Sequence, residues 1–138
     1  MNDIELLHDA ARRAIAYVGH VDSRAAAPTH DAVDALAGFD EPLPEHPTDP
    51  ADALRMLDDL GAPATMASTG PNYFGFVNGA SFPVALGAAF IVNAWDQNAA
   101  LPVMSPASAK LYYVSRTWLL DILRLPASAD VAYVTGAT

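Results

Sequence analysis

The chain closes on Val134-Thr135-Gly136-Ala137-Thr138, and this ending constrains the fold more than any other feature. Asp130-Val131-Ala132-Tyr133-Val134 reads as a short apolar strand, and Gly136-Ala137-Thr138 as a turn that opens a helix. A strand, a tight turn and a helix N-terminus form a common phosphate cradle, because the first helical N–H groups lack partners within the helix and point outward. The sequence stops before the helix that would supply most of those donors. We therefore expect a site cut in its middle, and a chain that is a piece of an enzyme.

With 52% hydrophobic residues in 138, the chain has enough apolar material for a core and is unlike a disordered segment. Its net charge of −9, with Lys110 as the one lysine and six scattered arginines, argues against nucleic acid and against an anionic membrane surface. The lack of cysteine removes disulfides, thiolate metal sites and cysteine nucleophiles, and fits a cytoplasmic protein. The acidic start Met1-Asn2-Asp3-Ile4-Glu5 carries no secretory signal. The longest apolar stretch, residues 82–95, contains Asn93 and is too short to span a bilayer, so a soluble chain is expected.

Helical spacing dominates the rest. Ile4, Leu7, Ala11, Ala14, Ile15 and Val18 form one stripe over residues 3–19, with Asn2 or Asp3 as cap and Gly19 as stop. This stripe needs a surface, either the chain's own core or another subunit. Residues 20–50 are punctuated by Pro28, Pro42, Pro44, Pro47 and Pro50 and read as an extended arm, with a short helix from Thr29 to a stop at Gly38. Asp49-Pro50 opens a further helix that Gly61 should end, with a weaker turn over 63–68. Tyr73-Phe74-Gly75-Phe76-Val77-Asn78-Gly79 is a stiff loop, and composition alone favours core aromatics beside a turn. Ser81 should cap an all-round apolar, deeply buried helix reaching Gln97. Ser105-Pro106 caps a last helix, whose Leu111, Val114, Trp118, Ile122 and Leu125 read as core, ended by Pro126.

No catalytic constellation is complete within these residues. His8, His20, His30 and His46 do not pair at helical spacing and make a poor metal set. The carboxylates Asp31, Asp34, Asp40, Glu41, Glu45, Asp49 and Asp52 read as solvated charges and caps. Ser68, Ser81, Ser105 and Ser115 have no nucleophile-elbow motif, and Lys110 shows no sign of the burial or neighbouring cation that activates a lysine.

Five segments in order nevertheless resemble one family. They are Asn72-Tyr73-Phe74-Gly75-Phe76-Val77-Asn78-Gly79, Ala94-Trp95-Asp96-Gln97-Asn98-Ala99-Ala100, Ser105-Pro106-Ala107, Trp118-Leu119-Leu120-Asp121 with Leu125-Pro126, and Val134-Thr135-Gly136-Ala137-Thr138. Together they resemble the N-terminal third of the group II pyridoxal-phosphate-dependent amino-acid decarboxylases, well over residues 45–138 and loosely in the first helix.

The resemblance implies a mostly α-helical fragment with one short strand near the C-terminus, part of an α/β fold-type-I transferase-like fold. Residues 1–80 would form the helical arm, Pro-rich segment and pocket loop, and 81–138 the beginning of the large cofactor domain. It implies a homodimer, or completion by a C-terminal chain, and an L-amino-acid substrate that loses its α-carboxyl group. Phe76, Val77, Asn78 and Gly79 would line the substrate pocket. Asn98 and Leu101 lie in a stretch that would reach toward the neighbouring subunit's site. Gly136, Ala137 and Thr138 would hold the cofactor phosphate. The cofactor-binding lysine, the ring-stacking histidine and the aspartate on the pyridine nitrogen belong to family segments beyond these residues, and Lys110 falls where the family has no catalytic lysine. The 138 residues alone are therefore expected to be inactive and not to bind pyridoxal phosphate detectably. From another class, the same residues could form a non-catalytic helical interaction module derived from the family.

Overall fold

The computed structural model describes residues 1–79 and 81–134, and these are mostly helical. By internal contacts the chain divides into two units, Met1–Ser81 and Phe82–Thr138.

The first unit opens with α1, Asp3–His20. Asn2 caps it reciprocally with Glu5: the Glu5 N–H donates to Asn2 Oδ1 at 2.9 Å, and the Asn2 N–H to Glu5 Oε2 at 3.0 Å. Gly19 is not the expected stop. It does not adopt the left-handed conformation that ends helices, and α1 runs past it into a tight 3-10 turn, Val21–Ser23. α2, His30–Asp34, starts where Thr29 Oγ1 accepts from the Ala32 N–H and tightens into a second 3-10 turn, Ala35–Phe39. Gly38, expected as a stop, sits inside that turn. A Cβ there would lie 2.8 Å from Leu60 Cδ1, so its job is to let Leu60 approach. Residues 40–49 form no regular element and are exposed.

Asp49 and Pro50 start α3, Pro50–Met56, as the cap and first helical residue expected of them. The helix then widens into a π-helical stretch, Leu57–Gly61, and resumes as α4, Ala62–Ala64. Gly61 thus lies within the helical run, at φ −78°, rather than ending it.

α1 meets this run through its polar side. Arg13 donates to Asp9 Oδ2 at 2.7 Å and to Asp58 Oδ2 at 2.9 Å, with Asp59 at 3.6 Å. Tyr17 Oη and Thr65 Oγ1 are 2.8 Å apart. Arg24 lies over the Tyr17 ring, 4.7 Å from its centroid, and donates to the carbonyls of Ala62, Pro63 and Thr65 and to Thr65 Oγ1. These carbonyls cluster where the helical run ends, so a cation is well placed there. Val21 and Ala67 are buried, and a Cβ on Gly70 would come within 3.1 Å of both their carbonyl oxygens. Of the expected apolar stripe, Ala11 and Ala14 are half-buried, whereas Ile4, Leu7, Ile15 and Val18 are exposed.

In the second unit, α5 spans Pro83–Trp95. Its N-cap is Phe82, without a side-chain hydrogen bond, and not Ser81. Asp96 closes it at φ 47°, two residues short of the expected reach. No residue of α5 is buried, which overturns the expectation of deep burial. α6, Pro106–Ile122, is capped as expected: the fully buried Ser105 accepts from the Ser108 N–H and donates to Ser108 Oγ. Its end is closed by the Arg124 N–H on Asp121 O and the Leu125 N–H on Leu120 O, with Arg124 left-handed at φ 54°. The expected core stripe is also overturned. Trp118 is 65% exposed and Leu111, Ile122 and Leu125 are exposed, whereas Leu120 is 8% exposed.

Residues 130–134 do not form the expected strand. Among the described residues no second strand lies beside them to complete a hydrogen-bonded ladder. They lie instead along α6, held by side chains. Arg116 Nε donates to Asp130 Oδ1 at 2.5 Å and its Nη2 to Ala129 O, Tyr112 Oη donates to Val131 O at 2.8 Å, and Tyr133 Oη donates to Ser115 Oγ at 2.7 Å.

The chain exposes 11155 Å². Two separate compact units of these sizes would expose about 8,000 Å² together. Exposed apolar side chains on α1, α5 and α6, together with the irregular stretch 40–49 and the loop at 74–79, contribute to the excess.

Candidate functional site

The pocket loop follows the turn at 69–72. The Tyr73 N–H donates to Gly70 O, and the Tyr73 ring folds over Gly75, where a Cβ would lie 2.9 Å from Tyr73 Oη. Gly75 lets the Tyr73 hydroxyl approach; a side chain there would push that ring end aside. The next two residues, Phe76 at φ 53° and Val77 at φ 57°, are both left-handed. This conformation costs a non-glycine residue roughly 1–2 kcal/mol, and a β-branched valine rarely adopts it. The Asn78 N–H closes the turn on Gly75 O at 3.2 Å. Phe76 is 92% exposed and Val77 103%, and Phe74, Asn78 and Gly79 are also exposed. The aromatics are therefore not core residues of this chain, as composition had suggested; Tyr73 alone among them is half-buried. A strained, apolar tip displayed to solvent is a common device of recognition loops.

Asn98 and Leu101 lie in the second unit. Asn98 Oδ1 accepts from the Ala100 N–H at 3.0 Å, and Leu101 O accepts from the N–H groups of Met104 and Ser105. These bonds fix the 98–105 connection and leave the Leu101 side chain exposed. Phe76, Val77, Asn78 and Gly79 belong to the first unit.

Gly136, Ala137 and Thr138 lie outside the described residues. The chain leading to them is tied down at residues 129–133. Arg116, joined by the Val131 N–H, holds the Asp130 carboxyl below its ordinary value of 3.8, and Asp130 in turn raises Arg116. Desolvation and the neighbouring Asp130 push the Tyr112 phenol up. Sequence reading passed over this clasp, whose members are separated by up to 19 residues. Lys110 is exposed on α6, as surface chemistry requires.

An open groove of about 490 Å³ lies between α1 and the 58–63 stretch. Its charges answer one another: Arg13 and, more weakly, Arg12 depress Asp9, and Asp9 and Asp58 hold Arg13 firmly protonated. Among the described residues no group of three histidines or carboxylates is placed to hold a metal.

Compared with models of known protein families, with curated proteins and with solved structures, the chain matches none.

Proposed function

We propose that this chain is the N-terminal portion of a pyridoxal-phosphate-dependent decarboxylase acting on an L-amino acid. The observation that carries this reading is the order of the five segments from Asn72 to Thr138. In this reading Gly136, Ala137 and Thr138 hold the cofactor phosphate through backbone N–H groups and a hydroxyl. Phe76, Val77, Asn78 and Gly79 shape one wall of the substrate pocket, with Asn98 and Leu101 reaching toward a neighbouring subunit's site. The uncovered stripe of α1 and the apolar α5 meet a second subunit or a completing chain, which is the role their exposure supports. Pyridoxal phosphate supplies the electron sink for breaking the bond to the carboxyl group. The protein's part is to orient that bond and keep water away from it.

The test is to isolate the protein that carries this sequence, measure its intact mass, and assay CO2 release from a panel of L-amino acids with pyridoxal phosphate. Release of CO2 by one long chain, or by this chain with a larger partner, supports the reading. A cofactor-loaded preparation that leaves every carboxyl group intact overturns it. A second reading, a non-catalytic interaction module, rests on the same exposed α1 stripe. It predicts that the 14.5 kDa chain is monodisperse alone and takes no cofactor.

A further inference from the structure

We propose that Asn78 is a site of spontaneous deamidation and backbone isomerisation. Of the five asparagines, at 2, 72, 78, 93 and 98, only Asn78 precedes a glycine. The reaction is an attack by the following backbone nitrogen on the side-chain amide carbon, and a Cβ on that following residue crowds the approach. Around Gly79 there is open space: a Cβ built there meets nothing within 4 Å.

Three of the other four asparagines are engaged, and the fourth, Asn72, precedes Tyr73, whose side chain crowds the attacking nitrogen. Asn2 Oδ1 accepts from the Glu5 N–H, Asn93 Nδ2 donates to Ala89 O inside α5, and Asn98 Oδ1 accepts from the Ala100 N–H. At Asn78 the turn uses only the residue's own N–H, on Gly75 O. Among the described residues its side chain and the Gly79 N–H make no hydrogen bond. The exposed Phe76 and Val77 leave the tip unclamped by packing, so Asn78 is free to rotate its amide carbon toward the Gly79 nitrogen.

The chemistry balances without an oxidant. A solvent base takes the proton from Gly79 N, and the nitrogen's electron pair forms a bond to Asn78 Cγ. The Cγ–Nδ2 bond breaks, Nδ2 takes up a proton, and ammonia leaves, giving a five-membered imide. One water then opens the ring. Cleavage of the new Cγ–N bond gives aspartate at 78. Cleavage between the Asn78 carbonyl carbon and Gly79 N gives isoaspartate, whose main chain runs through the side chain and is longer by one carbon. Either product puts a carboxylate at the tip of an otherwise uncharged loop. None of this depends on the loop lining a substrate pocket.

The experiment incubates the whole chain at mildly alkaline pH and maps peptides over time for aspartate and isoaspartate, with parallel samples unfolded in urea. Conversion at Asn78 should outpace the other four asparagines, and its folded rate should approach that in urea. Gly79→Ala should slow it at least about tenfold, because the added Cβ obstructs ring closure. Conversion in urea but not in the folded chain would show that the loop protects Asn78 and would overturn the proposal. So would a rate unchanged by Gly79→Ala.

Discussion

The first unit carries all of the chain's net charge, and the second carries none. Thirteen of the sixteen acidic residues and four of the seven basic ones lie in 1–81, leaving −9 there; three of each lie in 82–138. The first unit is drawn together by directed polar contacts centred on Arg13 and Arg24. The second is tied mainly at one edge, where Arg116, Tyr112 and Tyr133 hold residues 129–133, while α5 buries none of its residues. The contrast separates two ways of holding a unit together. An acidic unit with internal clamps offers an apolar stripe on α1. A neutral unit with an exposed apolar helix is the half that the proposed partner surface would cover.

The largest effect should come from splitting the chain. Residues 1–81 alone should unfold cooperatively on heating, followed by circular dichroism. Residues 82–138 alone should melt gradually and bind a hydrophobic dye. A sharp transition in the second piece would break the comparison.

Next is Arg24→Ala, which removes the donor to three carbonyls and a hydroxyl. It should cost the first unit about 1.5–3 kcal/mol in urea unfolding, the range for hydrogen bonds to a charged group. Arg24→Lys should recover little, since a single ammonium lacks the planar fork that reaches several acceptors.

A pH titration sharpens the contrast further. Asp9 and Asp130 both ionise below the ordinary 3.8 in the folded chain, so each stabilises the fold above that value. Each loses its contribution as pH falls through its own depressed pKa. The Tyr112 phenol is raised above 10.0, so its contribution is complete below that value and is lost as pH rises further. Alkaline loss should therefore appear in the signals of the second unit, and Asp9→Asn should flatten the acid response of the first alone. Salt should weaken both clasps.

The smallest effect is Arg124→Gly. Relieving the left-handed strain at the end of α6 should raise its stability by under about 1 kcal/mol, after allowing for the freer unfolded chain. No gain in helicity would mean that the arginine side chain compensates by binding the end of the helix.

Cap signals were legible in the sequence at every expected helix start but one: Ser81 does not cap α5, which begins after Phe82. Asn2, Thr29, Asp49 and Ser105 cap the helices they were expected to cap. Glycine was read less well, because the same residue ends a helix, lets a neighbour approach, or sits within a turn. Gly38 makes room for Leu60 and Gly61 lies within a widened helix, and neither role is visible without the partner. Burial was misread at Trp118 and along α5 because an apolar pattern says that a surface will be covered, not that the same chain covers it. In the pocket loop the close approach at Gly75 was legible from the mix of aromatics and glycines. The left-handed Phe76 and Val77 were not, since both residue types oppose that conformation. Of the candidate site, the cradle residues 136–138 lie outside the described residues, so the structure bears on the loop and the connection alone.

The Arg24 clamp also has a consequence for chain length. By gripping Ala62 and Thr65, Arg24 closes a loop of 38 to 41 residues that includes the exposed, irregular stretch 40–49. Loop closure grows only logarithmically with length, and doubling such a loop costs about 0.6 kcal/mol. The arm is thus free to vary in size between its stapled ends. Insertions near Pro44 would alter how far it reaches while leaving the clamp itself unchanged.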